Sequence, residues 1–494
     1  MRRSLIASGV ALAMSTATAA SPDFSITVYS SAAPGSLTSE QLASYGLRLP
    51  GYALVRDRRE LELPNGTGEV RFSDVATRID PTTVSFASIT DPDGTRVIEQ
   101  NYQFDLVDGA KLLQRYVGET IRVDQIRGEK VESVSGKLLS ATGGLILMRP
   151  NGEVQSLSHY ANIAFPSLPG GLITKPTLVW LVDAKRGGKH DAQVSYQTQG
   201  MTWWSDYNVI LKGEANACSM DLAAWVTVVN QSGASYPNAQ LKLVAGEVNR
   251  APAAPTAPAP VAAMLAKVEK ESAGFQESEL FEYHLYTLGR RTELPQNSTK
   301  QLELFPAAVG MKCKRELVFT ASPQPHGFWG SPISDQGYGA TKSGTVGAWL
   351  EFENKEANGL GIPLPAGRVR VNQASKDGSL EFIGEDVIKH TPRNEILRIK
   401  LGEAFDVVGE RKQIDYKIDT SAKRIDETIE ISVRNRKKEA ATIRVREYLY
   451  RWSTWAITEE NLKHDKRDAN TVDFVVNVPA DSEQKIRYAV RYTW

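Results

Sequence analysis

Past the first twenty residues, apolar side chains recur at every second position. Ala53-Leu54-Val55, Arg59-Glu60-Leu61-Glu62-Leu63, Glu69-Val70-Arg71-Phe72 and Thr83-Val84-Ser85-Phe86-Ala87 follow this rhythm. Turn chemistry separates the runs at Pro64-Asn65-Gly66 and Asp91-Pro92-Asp93-Gly94. A period of two places alternate side chains on opposite faces of a strand, so residues 21–112 are expected to form an N-terminal β unit. A tighter series follows over 113–170: Ile121 and Val123, Val131 and Val134, Gly136-Lys137-Leu138-Leu139, Gly144-Leu145-Ile146-Leu147-Met148, the turn Asn151-Gly152, and Ile163 and Phe165. Short strands with glycine at their bends predict a small SH3-like or Sm-like barrel.

From 171 to 494 the alternating runs lengthen, as in Leu178-Val179-Trp180-Leu181-Val182, Ala192 to Gln199, Leu222 to Asn230, Val346 to Phe352, Glu395 to Leu401, Thr428 to Arg434 and Ala441 to Tyr448. Sheets with one packed face are expected, and hence a β-sandwich. An alanine- and proline-rich stretch interrupts it at 250–275; it is expected to be an extended linker, with a short amphipathic helix from Val261 to Ser272. The fold class expected is all-β: a multi-unit β-sandwich, a small barrel in the N-terminal part, and minor helix.

The start of the chain breaks the rhythm. Met1-Arg2-Arg3 precedes an uncharged apolar run from Leu5 to Met14 and then the small residues Ala17, Thr18, Ala19 and Ala20. This reads as a signal peptide over 1–20, too short to span a bilayer, and predicts an exported protein in the periplasm or associated with the cell envelope. Arg2-Arg3 lacks the polar lead-in of a twin-arginine signal, so general export is the expected route. No later stretch has the length and apolarity of a membrane-spanning helix.

Charge narrows the partners. The 58 basic and 58 acidic residues balance to a net charge of zero, which disfavours nucleic acid or an anionic membrane as the main target. Cys218 and Cys313 are the two cysteines. In an oxidising compartment they can pair; two buried free thiols are the competing reading.

Complete catalytic motifs are absent from the sequence. His159, His190, His284, His326, His390 and His464 show no metal-ligand spacing, so neither a metal nor a cofactor is expected. There is no Gly-x-Ser-x-Gly elbow, and Gly339-Ala340-Thr341-Lys342-Ser343-Gly344 imitates a phosphate loop without its lysine. Glu351 and Glu353 flank Phe352 and, on a strand, would share one face about 7 Å apart, within range of a glycosidase pair. A solvated strand face is the preferred reading of the pair. Trp203, Trp204 and Tyr207, with Trp225, Trp452 and Trp455 elsewhere, are candidates for stacking on sugar rings or, alternatively, large pieces of the core. The final strand alternates Ile486, Tyr488, Val490, Tyr492 and Trp494 with Lys485, Arg487, Ala489, Arg491 and Thr493, similar to the closing strand of an outer-membrane barrel, but charge on the would-be lipid faces favours a half-buried sandwich strand.

Several ordered stretches carry a resemblance from about Lys175 onward. They are Gly200-Met201-Thr202-Trp203-Trp204-Ser205-Asp206-Tyr207, Val229-Asn230-Gln231-Ser232-Gly233, Asn238-Ala239-Gln240-Leu241 and Glu282-Tyr283-His284-Leu285-Tyr286. Leu364-Pro365-Ala366-Gly367-Arg368-Val369-Arg370, Gly384-Glu385-Asp386, Ala404-Phe405-Asp406-Val407 and Arg451-Trp452 follow. Together they resemble the bacterial exported domain-of-unknown-function 4139 family, which includes mucoidy-inhibitor-like proteins. Asn372 departs from the aromatic residue expected after the Arg368-Val369-Arg370 strand. The resemblance implies an envelope-type β protein and brings neither a reaction nor catalytic residues.

The leading expectation is therefore an exported cell-envelope protein, non-enzymatic, that serves as a binding or structural module for a protein or polysaccharide partner. The alternatives are a carbohydrate-active hydrolase using Glu351 and Glu353 beside the aromatic cluster, and an outer-membrane-inserted β-barrel.

Overall fold

The computed structural model describes residues 22–29, 49–127, 130–213, 217–246, 248, 274–324, 330–375 and 377–494. The signal peptide expected at 1–20 and the helix expected from Val261 to Ser272 lie outside the described residues. So does the linker expected at 250–275, apart from its last two positions.

Strands dominate, and the long alternating runs form where the sequence places them. Strand Arg424–Asn435 shows the reason plainly: Ile425, Ile429, Ile431 and Val433, with Glu427 among them, are buried while the alternate residues Asp426, Thr428, Glu430 and Ser432 face outward. The helix among the described residues is Gly109–Arg115, which starts where the Asp108 carboxylate accepts the Lys111 N–H at 2.9 Å. The division expected between 112 and 113 falls inside it.

Two sheets join the beginning of the chain to its middle. In one, the order runs Phe275–Leu280, Tyr283–Leu288, Tyr236–Ala245, Asp23–Tyr29, Tyr52–Leu63, Gly188–Gln199, Ile79–Ser88. Asp23–Tyr29 lies parallel to Tyr236–Ala245 and antiparallel to Tyr52–Leu63. In the other, Thr177–Ala184 sits between Gly66–Ser73 and Thr95–Gln103. Hydrogen bonding thus crosses the sequence divisions expected at 112 and 171, and Ile26, Val28, Ala53 and Val55 share a core with Val194, Leu241 and Leu243.

The small barrel expected over 113–170 is corrected. Thr120–Arg127, Lys130–Ser140, Leu145–Met148, Val154–Leu157 and Asn162–Ala164 form a five-stranded sheet, but Asn162–Ala164 and Val154–Leu157 are its two open ends. Closure is unnecessary because the chain before and after the sheet covers its apolar face. Tyr116 joins Ile121, Val123, Val134, Leu138 and Leu145 in a local core, with Leu113 and Phe165 packed on it.

The largest sheet runs Leu380–Ile388, Gly367–Ala374, Met201–Lys212, Ser219–Asn230, Ser298–Thr320, Thr341–Glu353, Ile396–Asp419, Arg424–Asn435, Ser482–Thr493, Trp455–Glu460, with Ala441–Tyr448, Thr471–Val478 and Asp465–Lys466 branching from it. Two long strands serve two cores. Ser298–Thr320 gives Leu302, Leu304 and Met311 to the first core and Phe319 to the second; Ile396–Asp419 gives Leu397 and Ile399 to the first and Ala404 and Val407 to the second. A bulge lies where Ile396–Asp419 passes from one core to the other: Ala348 pairs with Gly402 but Trp349 with Lys400, so Leu401 has no opposite number.

The outer-membrane barrel is likewise corrected, since this sheet is open. On the last strand Ile486, Tyr488, Val490 and Tyr492 are buried in the second core, whereas Lys485 pairs with Glu430 at 3.0 Å and Arg491 with Asp426 at 2.7 Å on the exposed face. A lipid-facing surface would not carry that ladder of charges. No helix among the described residues is long and apolar enough to cross a membrane.

One device recurs three times. Asn230, which ends Ser219–Asn230, donates its side-chain amide to the carbonyls of Ala234 and Leu294 at 2.9 Å and Pro295 at 3.2 Å, and its Oδ1 accepts Ser232 N–H. Asn435 donates to Glu439 O at 2.8 Å and to Val478 O and Pro479 O at 3.0 Å, and accepts Lys437 N–H. Asn354 donates to Ile362 O and Pro392 O and accepts Gly361 N–H. Each proline is followed two residues later by a positive-φ Asn297, Asn394 or Asp481, and then by the strand that pairs with the one ending near the asparagine. Three strand pairs are thus buckled in the same way.

Candidate functional site

Of the two readings of Trp203, Trp204 and Tyr207, burial favours the core over the stacking platform: they are 2%, 8% and 1% exposed. All three sit on Met201–Lys212, a central strand whose first half is covered on both faces. Trp203 packs into the first core near Tyr286, with ring centroids 6.5 Å apart. Tyr207 donates its hydroxyl to Pro365 O at 2.7 Å. Burial pushes that phenol well above its ordinary pKa, so it serves as a neutral donor. On the other face the Trp204 indole donates to Asp206 Oδ2 at 2.8 Å, and Arg368 reaches the other oxygen at 3.2 Å. Period-two alternation cannot reveal that both faces of a strand will be covered. Trp452 and Trp455 pack against the second core, and Trp225 remains 38% exposed.

Glu351 and Glu353 do share the outer face of Thr341–Glu353, opposite buried Phe352. Glu351 accepts from Arg398 Nε at 2.6 Å across the strand pair, and Glu353 lies 2.8 Å from Lys355. Ion-paired, and with Trp203 and Trp204 in the interior, they lack the sugar platform that the hydrolase alternative requires.

The histidines stay dispersed. His284 pairs with Glu277 and His464 with Glu460, each at 2.7 Å; His159 contacts Ser158 Oγ at 3.0 Å, and His390 Nδ1 accepts the Ala366 N–H. His326 lies outside the described residues. His190 makes a Ser–His contact, with Nδ1 2.8 Å from Ser88 Oγ, while its Nε2 meets Arg186 O at 2.9 Å. Both residues are buried, and Ser88 Oγ also accepts the Asp91 N–H, so the pair fastens a turn. No three His, Cys, Asp or Glu side chains among the described residues are placed to hold a metal ion.

Reasoning from sequence missed the most charged part of the interior. Beside the second core Arg411 Nε meets both Glu447 oxygens at 3.1 and 3.2 Å, and Tyr488 donates its hydroxyl to Glu447 at 2.7 Å. Burial pushes the Glu447 carboxyl up, against the opposing pull of Arg411 and Tyr488. Arg451 Nε lies 2.9 Å from Glu427, whose other oxygen accepts from Gln413 at 2.7 Å. All four charged side chains are at most 2% exposed. Isolated charges would not survive there; each guanidinium has a carboxylate and each also takes backbone carbonyls.

Those carbonyls belong to one loop. Arg451 donates to Ile333 O at 2.9 Å and Asp335 O at 2.7 Å and lies 3.4 Å from Tyr338 O; Arg411 donates to Gly339 O. Tyr450 holds Tyr338 O at 2.9 Å and Tyr416 holds Ser334 O at 2.6 Å. Gly339 needs its missing side chain, because a Cβ there would come within 2.7 Å of the Tyr450 hydroxyl, and its φ is +72°. Inward carbonyls leave Ser334, Asp335, Gln336 and Tyr338 exposed on the outside. Only the Arg451-Trp452 pair hinted at this arrangement, since distant residues complete it.

Cys218 and Cys313, 95 positions apart in sequence, form a disulfide with Cα atoms 5.1 Å apart. It ties the start of Ser219–Asn230 to Ser298–Thr320 beside the Cys313 N–H to Cys218 O hydrogen bond of 3.3 Å.

The fold and these interior contacts define a predominantly β protein of several open sheets. The chain matches the model of the domain of unknown function DUF4139 over residues 192–494 and belongs to that family. No curated protein matches the chain. The matched region contains both the Trp204–Asp206–Arg368 contact and the Arg451 loop anchor. It begins inside strand Gly188–Gln199, so the first core also needs strands from before it.

Proposed function

We propose that the protein is exported to the periplasm or cell envelope and works there, without catalysing a reaction, as a binding or structural module for a protein or polysaccharide partner. The observation that carries this reading is the exposed loop 330–340, held through its carbonyls by buried Arg451, Arg411 and Tyr450 and by half-buried Tyr416. An exposed loop on a rigid framework is a common site of recognition, and a rigid scaffold beneath it lowers the entropy lost on binding. The leader-like start at 1–20 and the Cys218–Cys313 disulfide both suit an oxidising, extracytoplasmic compartment.

Two measurements test the reading. Residues 1–20 fused to a periplasm-dependent reporter should direct export, with loss of the signal when Arg2 and Arg3 are replaced. The purified mature chain should retain envelope material that a Tyr338→Ala, Asp335→Ala double variant loses. Cytoplasmic retention of the reporter, or equal retention by wild type and variant, refutes it.

A further inference from the structure

Among the described residues, one sheet face is covered at the end that holds Trp204 and Thr227 and is open from Trp225 onward. Strand register aligns its side chains in rows: Glu303, Trp225, Asp206, Arg368 and Val387 lie side by side across five strands, then Ala223, Asn208, Arg370 and Glu385, then Asp221, Ile210, Asn372 and Phe382. Ion pairs confirm that these side chains share the face, since Arg368 reaches Asp206 at 3.2 Å and Arg370 lies 3.6 Å from both Asp206 and Glu385. The opposite face carries Tyr207, Val369 and Val371, all in the first core. On the open face Trp225 is 38%, Val387 51% and Phe382 60% exposed.

Chemistry selects the occupant. Every charge in the Asp206, Arg368, Arg370 and Glu385 group has an opposite neighbour, so a polyanion or polycation gains little there. An apolar helix or lipid would have to strip water from Asn208, Asn372, Arg370 and Glu385 without replacing their hydrogen bonds. A neutral sugar chain satisfies both requirements: its ring faces stack on Trp225 and Phe382, and its hydroxyls both donate and accept beside the amides and charged groups between them. Strand spacing and rise put Trp225 and Phe382 roughly 20 Å apart on a diagonal, the span of a short oligosaccharide.

We infer that this face, anchored by Trp225 and Phe382 with Asn208, Asn372 and Arg370 between them, binds a neutral polysaccharide chain. The site rests on the reading of the protein as a binding module but is separate from the Arg451-anchored loop. It places the sugar-stacking role on Trp225, the exposed member of the tryptophan set.

The test is calorimetric titration of the full mature chain with cellohexaose, chitohexaose and maltohexaose, alongside Trp225 fluorescence. At least one should bind saturably. Trp225→Ala and Phe382→Ala should each weaken it about tenfold or more, with Trp225→Tyr restoring most of the loss and unfolding temperature unchanged. Tyr338→Ala in the loop should leave the sugar affinity as it is. Absence of binding to all three sugars overturns the inference, as does equal binding by Trp225→Ala. Sugar binding that depends on Tyr338 and not on Trp225 also overturns it while leaving the proposed binding function standing; loss of the loop-dependent envelope interaction with sugar binding intact has the reverse meaning.

Discussion

Replacing Asn435 by alanine removes the donor shared by three carbonyls, the buried one of Val478 and the part-buried ones of Glu439 and Pro479, and the acceptor of the Lys437 N–H. Asn435 is fully buried, so water cannot simply step in. Each orphaned group carries a penalty of about 1–3 kcal/mol, toward the low end for carbonyls that keep a second lone pair in use. The expected loss is about 3–4 kcal/mol, a large part of a domain's typical ~5–15 kcal/mol. Asn435→Asp separates hydrogen bonding from shape. It keeps the acceptor for Lys437 but sets a carboxylate oxygen against three carbonyl oxygens unless it takes up a proton. Its carboxyl is therefore raised in the folded state, so stability is fullest below the unfolded carboxyl's pKa and falls as pH rises through the folded value. Urea unfolding followed by tryptophan fluorescence provides the assay, because Trp452 and Trp455 pack on this core. A loss under about 1 kcal/mol for Asn435→Ala, or an Asn435→Asp variant indifferent to pH, would refute the account of the asparagine buckle.

The other expectations concern separate contacts. Cys218→Ser with Cys313→Ser should lower the unfolding temperature, because opening a loop of this length releases about 4–5 kcal/mol of unfolded-state constraint in the chain-entropy account; an unchanged transition under oxidising conditions would contradict it. Arg451→Met leaves Glu427 buried without its cation and frees the carbonyls of Ile333 and Asp335, so a loss of about 3–5 kcal/mol and faster proteolysis between 330 and 340 are expected. Arg451→Lys should not rescue the loop, since one ammonium cannot reproduce the guanidinium fork. Gly367→Ala would bring a Cβ within 2.6 Å of Ser205 O and the Tyr207 ring, and should destabilise by about 1–3 kcal/mol in thermal unfolding.

Legibility varied with the range of the interaction. The strand Ser482–Thr493 was readable because its alternation and its burial are both local properties. The helix Gly109–Arg115 was missed: it is short, has no buried residue of its own and shows no apolar stripe. The carboxylate pair Glu351 and Glu353 was placed on one face correctly, yet its partner Arg398 could not be foreseen 47 residues away. Trp203 and Trp204 show the opposite failure, for the same two residues suit a sugar platform or a core until both faces of their strand are known.

By itself the sequence determined a β protein with a leader-like start, two cysteines able to pair, balanced charge and motifs of the 4139 family, because composition and period-two patterning act within a few residues. Tertiary structure alone decided that the N-terminal strand enters the middle of a later sheet and that two long strands divide themselves between cores. It also decided that Arg411 and Arg451 turn inward to hold a loop while Trp225 and Phe382 remain outside. Which groups meet depends on register and face across the whole sheet, and a one-residue slip in register exchanges inside for outside.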